Sequence, residues 1–81
     1  MTDPTDSLEA ALIEMIVAEI TYGQPIEVET DLLLSELVDS LGVVRIVTWL
    51  EERLETEIDP TDVVIENFQS VAQMVRYINE R

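Results

Sequence analysis

The 81-residue sequence contains no cysteine and no histidine. Without cysteine, the chain can form no disulfide, no thiolate metal site and no thiol nucleophile of its own. Without histidine, it also lacks the commonest general base, which removes the usual nucleophile and base pairs of enzymes. We therefore expect a protein that is not an enzyme and has no catalytic residues.

Basic residues are scarce as well: four stand against eighteen acids, and the formal net charge is −14 at pH 7. Such a charge repels nucleic acids and anionic membranes and favours partners with basic docking surfaces. It also argues against self-association, so we expect a monomer. No apolar run approaches the roughly 20 residues that span a bilayer, and Met1-Thr2-Asp3-Pro4 is unlike the basic start of a signal peptide. A cytoplasmic protein is expected.

Aromatic residues make up only 5% of the chain, although hydrophobic residues make up 47%. The core must therefore be mainly aliphatic, which suits packed helices. That hydrophobic content also argues against an acidic disordered chain, because disorder requires low hydrophobicity as well as high charge. A chain of this length forms one core, so we expect a single domain over residues 1–81.

Helical periodicity predicts a first helix from Asp3 to about Tyr22. Asp3 suits the capping position, Pro4 suits the first helical position, and Gly23 with Pro25 stops the helix. Its apolar stripe repeats at three- and four-residue steps and comprises Leu8, Ala11, Leu12, Met15, Ile16 and Ile20. Residues 23–39 have no clear period, but they are too apolar for a solvated linker. We expect this long loop to pack back onto the helices.

A second helix is predicted over residues 40–55, with Ser40 as its capping residue. Helical spacing predicts an inward stripe of Leu41, Val44, Val47, Leu50 and Leu54, with Ile46 beside it. The outward face, predicted to bind partners together with Leu41, comprises Val43, Arg45, Thr48, Glu51 and Glu52. Trp49 lies off the stripe, where it either packs against the loop or narrows a cavity.

The remaining sequence predicts one short helix and one longer helix. Asp59-Pro60 opens a short helix over 61–65, and residues 67–69 form a turn. Ser70 and Gln73 form a capping box at the start of a last helix over residues 70–80. Residues 59–70 lack the oxygen-ligand pattern of a calcium loop, and no metal site is expected. The predicted fold is all-α, with three main helices and one short helix.

The tripeptide Asp39-Ser40-Leu41 stands where the long loop meets the second helix. A serine there suits a phosphodiester, because the N–H groups and macrodipole at a helix N-terminus stabilise negative charge. A simple capping role explains the same serine. The surrounding stretch LLLSELVDSLGVVRIVTWLEERL resembles the central region of acyl carrier proteins. EIDPTDVVIENFQSVAQMVRYI resembles that family's short third helix, turn and last helix, and the first helix matches by pattern alone.

The resemblance implies a right-handed bundle of three main helices plus a short one, without catalytic activity. It also implies that a phosphopantetheinyl transferase attaches 4'-phosphopantetheine from coenzyme A to Ser40. The thiol of this arm would hold an acyl or aminoacyl group as a thioester. Asp39 matches the family's aspartate before the serine, which helps the transferase engage its metal and substrate; alternatively, Asp39 is simply an acid near the helix dipole.

Two residues of the second helix depart from the commonest fatty-acid carriers, which usually have acids where this chain has Gly42 and Arg45. The run DSLGVVRIV is more similar to stand-alone carriers that serve adenylating ligases, including D-alanyl carrier proteins. We therefore expect a specialised carrier loaded by such a ligase. One alternative is a carrier for routine fatty-acid or polyketide synthesis. An alternative of another class is an unmodified acidic helical adaptor that binds a partner through the second helix.

Overall fold

A computed structural model describes residues 4–80, with side chains from Leu8 onward. Within these residues the regular elements are all helical: α1 (Pro4–Glu19), α2 (Ser40–Leu54), a 3₁₀ helix (Pro60–Asp62), α3 (Ile65–Phe68) and α4 (Val71–Glu80). The prediction of an all-α fold is confirmed. Asp3, the predicted cap of the first helix, lies outside the described residues.

The core is almost entirely aliphatic, as the composition predicts. Every α-helix and both long connections contribute buried side chains: Leu8, Leu12, Met15, Ile16, Ile26, Leu32, Val38, Ile46, Leu50, Ile58, Phe68, Val71, Met74 and Val75. Helix α4 packs against both α1 and α3. Phe68 is the one fully buried aromatic residue of the described part, and its ring centroid lies 5.9 Å from that of Tyr77.

The loop of residues 20–39 packs back onto the helices, as expected from its apolar residues. Its Leu32 is fully buried, and the Leu32 N–H donates to the carbonyl oxygen of Gln69 at 2.8 Å. A second backbone bond runs from the N–H of Ala72 to the carbonyl oxygen of Val28, also at 2.8 Å. The loop is thereby held against the start of α4.

Helix α1 ends at Glu19, about three residues before the predicted end. The carbonyl oxygen of Ile16 accepts two successive N–H groups at 2.9 Å, which widens the last turn. Tyr22 and Gly23 then have φ values of 53° and 103°, outside the helical region. Hydrophobic periodicity predicts an end that is too late, because Ile20 lies beyond the helix but still packs against the core from the turn.

Helix α2 begins at Ser40, but Ser40 is not its cap. Asp39 has an extended backbone with φ −94° and ψ −175°, and its Oδ1 accepts the N–H of Gly42 at 2.8 Å. The prediction of Ser40 as the capping residue is therefore wrong. An aspartate one position earlier reaches the free N–H of the third helical residue, which is the usual capping contact, and Ser40 becomes the first residue of the helix.

The inward face of α2 is rotated from the predicted one in the first turns, whereas Leu50 is fully buried and Val47 and Leu54 pack against the core, as predicted. Val44, predicted to point inward, is 58% exposed, and Leu41, predicted as a core or interface residue, is 66% exposed, whereas Val43, predicted on the outer face, is half-buried. The three fully buried positions are Gly42, Ile46 and Leu50. The prediction fails because hydrophobic spacing gives no weight to a glycine, and Gly42 lies so close to Val38 of the loop that a Cβ atom there would be 2.8 Å from the Val38 Cγ1.

The predicted short helix is divided into two elements. The 3₁₀ helix starts after Asp59, whose Oδ1 accepts the N–H of Thr61 at 2.9 Å. A separate single turn, α3, follows and buries Phe68. The predicted turn at residues 67–69 is wrong, because residues 67 and 68 belong to α3, and burial of Phe68 outweighs the weak helical signal of its neighbours.

The last helix agrees with its prediction. The Oγ of Ser70 accepts the N–H of Gln73 at 3.2 Å and donates to the side-chain Oε1 of Gln73 at 3.1 Å. The two residues of the predicted capping box are thus in contact, although the glutamine bonds the serine hydroxyl instead of its backbone N–H.

Candidate functional site

Ser40 occupies the first helical position of α2, and its side chain is exposed. Within the described residues no group hydrogen-bonds to its hydroxyl, since the capping contact of this turn comes from Asp39. The hydroxyl is therefore available to another molecule. It also lies at the positive end of the helix macrodipole, where an attached anionic group is stabilised.

Asp39 fixes the turn that presents Ser40. Besides the side-chain bond to Gly42, its carbonyl oxygen accepts the N–H of Val43 at 3.0 Å. The residue is exposed, and its Oδ2 accepts no hydrogen bond from the described residues. One carboxylate oxygen thus stabilises the helix start, while the other remains available beside the serine.

An open groove of about 540 Å³ adjoins Ser40 on one side. We call it the apolar groove, and its lining comes from the end of the loop, the first turns of α2 and the 3₁₀–α3 segment: Leu33, Glu36, Val38, Asp39, Ser40, Val43, Val44, Val63, Val64, Ile65 and Phe68. Apart from the three polar residues near its serine end, the lining is hydrophobic. The groove can therefore receive an aliphatic or otherwise apolar group.

The far wall of the apolar groove is held in place by Asp62. Its Oδ2 accepts the phenolic hydroxyl of Tyr77 at 2.7 Å, and its carbonyl oxygen accepts the side-chain N–H of Asn67 at 2.9 Å. These bonds link the 3₁₀ helix to α3 and α4. The segment of residues 63–65 that follows Asp62 is thereby positioned opposite α2.

A smaller pocket of about 210 Å³ is lined by the two residues that flank Ser40 in sequence, Asp39 and Leu41, together with residues from the end of α1. We call it the α1–α2 pocket; it is lined by Glu19, Ile20, Tyr22, Glu36, Leu37, Asp39, Leu41, Gly42 and Arg45. The Nη1 of Arg45 lies 3.5 Å from the carbonyl oxygen of Glu19, a long and weak contact. Ser40 itself lines the apolar groove, and its two sequence neighbours, Asp39 and Leu41, line the charged pocket.

The predicted partner face is only partly an exposed surface. Arg45, Thr48 and Glu52 are exposed, as expected. Val43 instead lines the apolar groove and is half-buried, because the inward face of the helix is rotated. The Oε2 of Glu51 accepts the N–H of Ile58 at 2.8 Å, so this carboxylate stabilises the connection after α2.

Trp49 does not narrow the apolar groove. It is half-buried against the core, and the guanidinium carbon of Arg53 lies 5.3 Å from its ring centroid. Of the two roles considered for this residue, packing is the one that the structure supports. Arg53 covers the ring in a cation–π contact.

Two carboxyl groups outside the site, of the half-buried Asp31 and the exposed Asp59, have a pKa below the ordinary value. The side-chain N–H of Gln69 donates to Asp31 and lowers the pKa of that carboxyl below its usual value of 3.8, assisted by the backbone N–H of Leu34. The backbone and hydroxyl of Thr61 likewise lower the pKa of Asp59. Hydrogen bonds to the ionised form are the main cause in both residues.

Several residues of the site were not predicted from the sequence. The most distinct group is Val63, Val64 and Ile65, whose opposition to α2 depends on the tertiary fold. The signal that could have indicated them is a run of three consecutive β-branched residues in a short acidic segment. Two of the three, Val64 and Ile65, are exposed in the structure. Tyr22 was also missed, because it was counted as the end of a helix.

Between residues 8 and 80, no three acidic side chains gather in an arrangement that could hold a metal ion. None of the described helices has the length and hydrophobicity to cross a membrane.

Comparison with known proteins gives one match. A family model for the phosphopantetheine attachment site matches residues 6–78. This range contains all of α2 and α3, most of α4, the loop before Ser40 and the residues that line the apolar groove and the α1–α2 pocket. No match was found among curated proteins.

Proposed function

Because this chain belongs to the phosphopantetheine-binding carrier family, we propose that it is an acyl carrier protein whose attachment residue is Ser40. The family carries a covalently attached 4'-phosphopantetheine group, and its domains are generally not catalytic. The observation that carries the proposal is the exposed, unbonded hydroxyl of Ser40 at the start of α2, beside an apolar groove. The proposal takes residues 1–81 as one carrier domain.

The residues around Ser40 fit the group better than those around the other described serines. The Oγ of Ser35 donates to the carbonyl oxygen of Asp31. Ser70 is buried and bonded to Gln73. Ser40 alone of these three combines exposure with a hydroxyl that no described residue occupies. Its helix terminus also favours the negative charge of a phosphodiester.

The modification requires a phosphopantetheinyl transferase and coenzyme A. A bond forms between the Ser40 Oγ and the phosphorus of the phosphopantetheine, the phosphorus–oxygen bond to the nucleotide part breaks, and the hydroxyl proton leaves. The terminal thiol of the attached group then supplies the reactive sulfur for a thioester, in a chain with no thiol of its own. Asp39 keeps α2 capped, and its remaining oxygen is suited to the transferase's metal and substrate.

The apolar groove is proposed to shelter the apolar part of the arm or its cargo. Its volume of about 540 Å³ lies within the range of roughly 300–1,000 Å³ of small-molecule sites. Val43 and Val44 form one wall, and Val64 and Ile65 belong to the other. Contact with these side chains would remove apolar surface from water, which favours the sheltered state.

For the cargo, we propose a specialised acyl or aminoacyl carrier that an adenylating ligase loads. Arg45 supports this, because it puts an exposed positive charge near Ser40 where the commonest fatty-acid carriers have an acid. A carrier for routine fatty-acid or polyketide synthesis is the second candidate, and the hydrophobic lining of the groove favours it. The carrier is proposed to act as a cytoplasmic monomer, with partners that present basic surfaces.

Intact-mass measurement after incubation with coenzyme A and a broad-specificity transferase tests the attachment site. Wild type should gain one phosphopantetheine mass. Ser40→Ala should gain none while its circular dichroism stays helical, and Ser35→Ala, the matched control, should be labelled like wild type. Labelling that persists in Ser40→Ala would assign the arm to Ser7, Ser35 or Ser70. A wild type that is never labelled would favour the unmodified adaptor.

A further inference from the structure

Tyr22 and Leu41 leave hydrophobic surface exposed beside the attachment serine. Tyr22 is 80% exposed, more than any other large hydrophobic residue in the described part of the chain, and the exposed Leu41 follows Ser40 directly. Both line the α1–α2 pocket. Exposed apolar side chains gathered at a concave site mark interaction surfaces more often than single scattered ones do.

The backbone around this pocket is strained. Within the described residues, three residues other than glycine have positive φ: Tyr22 at 53°, Glu36 at 63° and Glu55 at 51°. The first two line the α1–α2 pocket. A bulky residue adopts this conformation only where its surroundings impose it, and such residues cluster at functional sites. The fold therefore holds the backbone of Tyr22 in an unfavourable conformation, and this places the Tyr22 side chain at the pocket.

Size and charge indicate what the pocket accepts. At about 210 Å³ it is smaller than the roughly 300–1,000 Å³ of small-molecule sites, so one protein side chain suits it better than a free ligand. Three carboxylates and one guanidinium line it, a net charge of −2 (three negative, one positive): Glu19, Glu36, Asp39 and Arg45. The complementary partner inserts an apolar side chain and places basic residues around it.

We propose that the α1–α2 pocket docks the phosphopantetheinyl transferase, with Tyr22 and Leu41 as its apolar anchors. This inference rests on the proposed function of Ser40. The transferase is the partner that must bring its active site to the Ser40 hydroxyl itself, so its footprint has to cover the neighbours of that residue. Enzymes that act on the thioester work at the far end of the arm, so the position of the Ser40 hydroxyl restricts their footprint less.

Transferase kinetics with coenzyme A, followed by intact mass, test the proposal. Tyr22→Gly removes the ring and relieves the backbone, because glycine accepts positive φ without strain; folding should therefore be preserved. We expect KM for the carrier to rise about five- to tenfold, as for loss of an interface anchor, with kcat nearly unchanged. Leu41→Ala should act in the same direction. Leu34→Ala is the matched control, since Leu34 is 68% exposed and lines neither the groove nor the pocket.

The outcomes separate this inference from the proposed function. If wild type is labelled at Ser40 and Tyr22→Gly has the same KM, the docking pocket is wrong while the carrier assignment stands. An increase of KM for a loading ligase alone would overturn the inference too, because the pocket would then serve that enzyme. An equal loss in Leu34→Ala would also contradict it, as a general effect of surface hydrophobicity. Failure of wild type to be labelled would instead contradict the proposed function.

Discussion

A Cβ atom on Gly42 would lie 2.8 Å from the Cγ1 of Val38. Val38 is buried, and its backbone N–H donates to the carbonyl oxygen of Leu32 at 2.9 Å, so it cannot easily move away. The first turn of α2 and the end of the loop are therefore in direct contact on either side of Ser40. This close approach positions the start of α2, and with it the Ser40 hydroxyl, relative to the apolar groove and the α1–α2 pocket.

Gly42→Ala should destabilise the protein despite the higher helix propensity of alanine. The propensity gain is at most about 1 kcal/mol, whereas overpacking a buried contact costs about 1–3 kcal/mol. Urea denaturation should give a lower midpoint for the variant. In the double variant Val38→Ala/Gly42→Ala the clash is removed. Its loss of stability should therefore be smaller than the sum of the losses of the two single variants. Simple additivity would show that the two residues do not compete for this space.

Asp39→Asn should separate the two roles of Asp39. Asparagine caps helices about as well as aspartate does, so stability should change by only a few tenths of a kcal/mol, whereas Asp39→Ala should lose about 1 kcal/mol. If the carboxylate serves the transferase, labelling of Ser40 should slow strongly in both variants. Thermal denaturation and labelling rates give the two readouts. Normal labelling of Asp39→Asn would leave Asp39 with the capping role alone.

Arg45→Glu should change which enzymes accept the carrier. A malonyl-transfer enzyme of fatty-acid synthesis whose surface is basic should use the variant better than wild type, and a cognate adenylating ligase should use it less well. We expect changes on the order of tenfold in kcat/KM for opposite charges exchanged at a contact. Arg76→Glu, on α4, has the same net charge and controls for long-range effects. Equal use of both variants by both enzymes would mean that Arg45 carries no partner information.

Acid should remove the stability that Asp31 contributes. Its pKa is lower in the folded protein than the ordinary 3.8 because Gln69 and Leu34 donate hydrogen bonds to the ionised carboxylate. The contribution is therefore fully present above that value and is lost as the pH falls through the folded pKa. Urea denaturation between about pH 5 and pH 2.5 should show a smaller loss for Asp31→Asn than for wild type. Glu52→Gln, an exposed control on α2, should follow wild type, and parallel curves for all three would contradict the assignment.

Elements that local physics determines were predictable from the sequence. Helix α4 combines a strong apolar period with a capping pair, Ser70 and Gln73, and its start was correct to one residue. The beginning of α2 was also located, but its cap was not, because Asp39 and Ser40 are both good capping residues and only the geometry of the turn distinguishes them. Hydrophobic spacing alone could not give the rotation of α2, which depends on the contact between Gly42 and the loop.

Ser40, the proposed attachment residue, could be singled out from the sequence, whereas its surroundings could not. Ser40 is marked by its neighbours in sequence, Asp39 and Leu41. The groove opposite α2 is formed by residues more than twenty positions away, and its wall depends on side-chain bonds from Asp62 to α3 and α4. The α1–α2 pocket depends on the positive φ of Tyr22, which no local propensity predicts for a tyrosine.

The bonds between the loop and the start of α4 also set the order in which the site can be built during synthesis. Leu32 bonds to Gln69, Val28 bonds to Ala72, and the side chain of Gln69 donates to Asp31. These hydrogen-bonding partners are about forty positions apart in sequence. While the ribosome is still making α2, the loop before Ser40 therefore cannot form its bonds to residues 69 and 72. A nascent chain therefore exposes Ser40 before its surroundings are complete. Recognition by enzymes that read the folded surface has to wait until residues 69–72 have emerged.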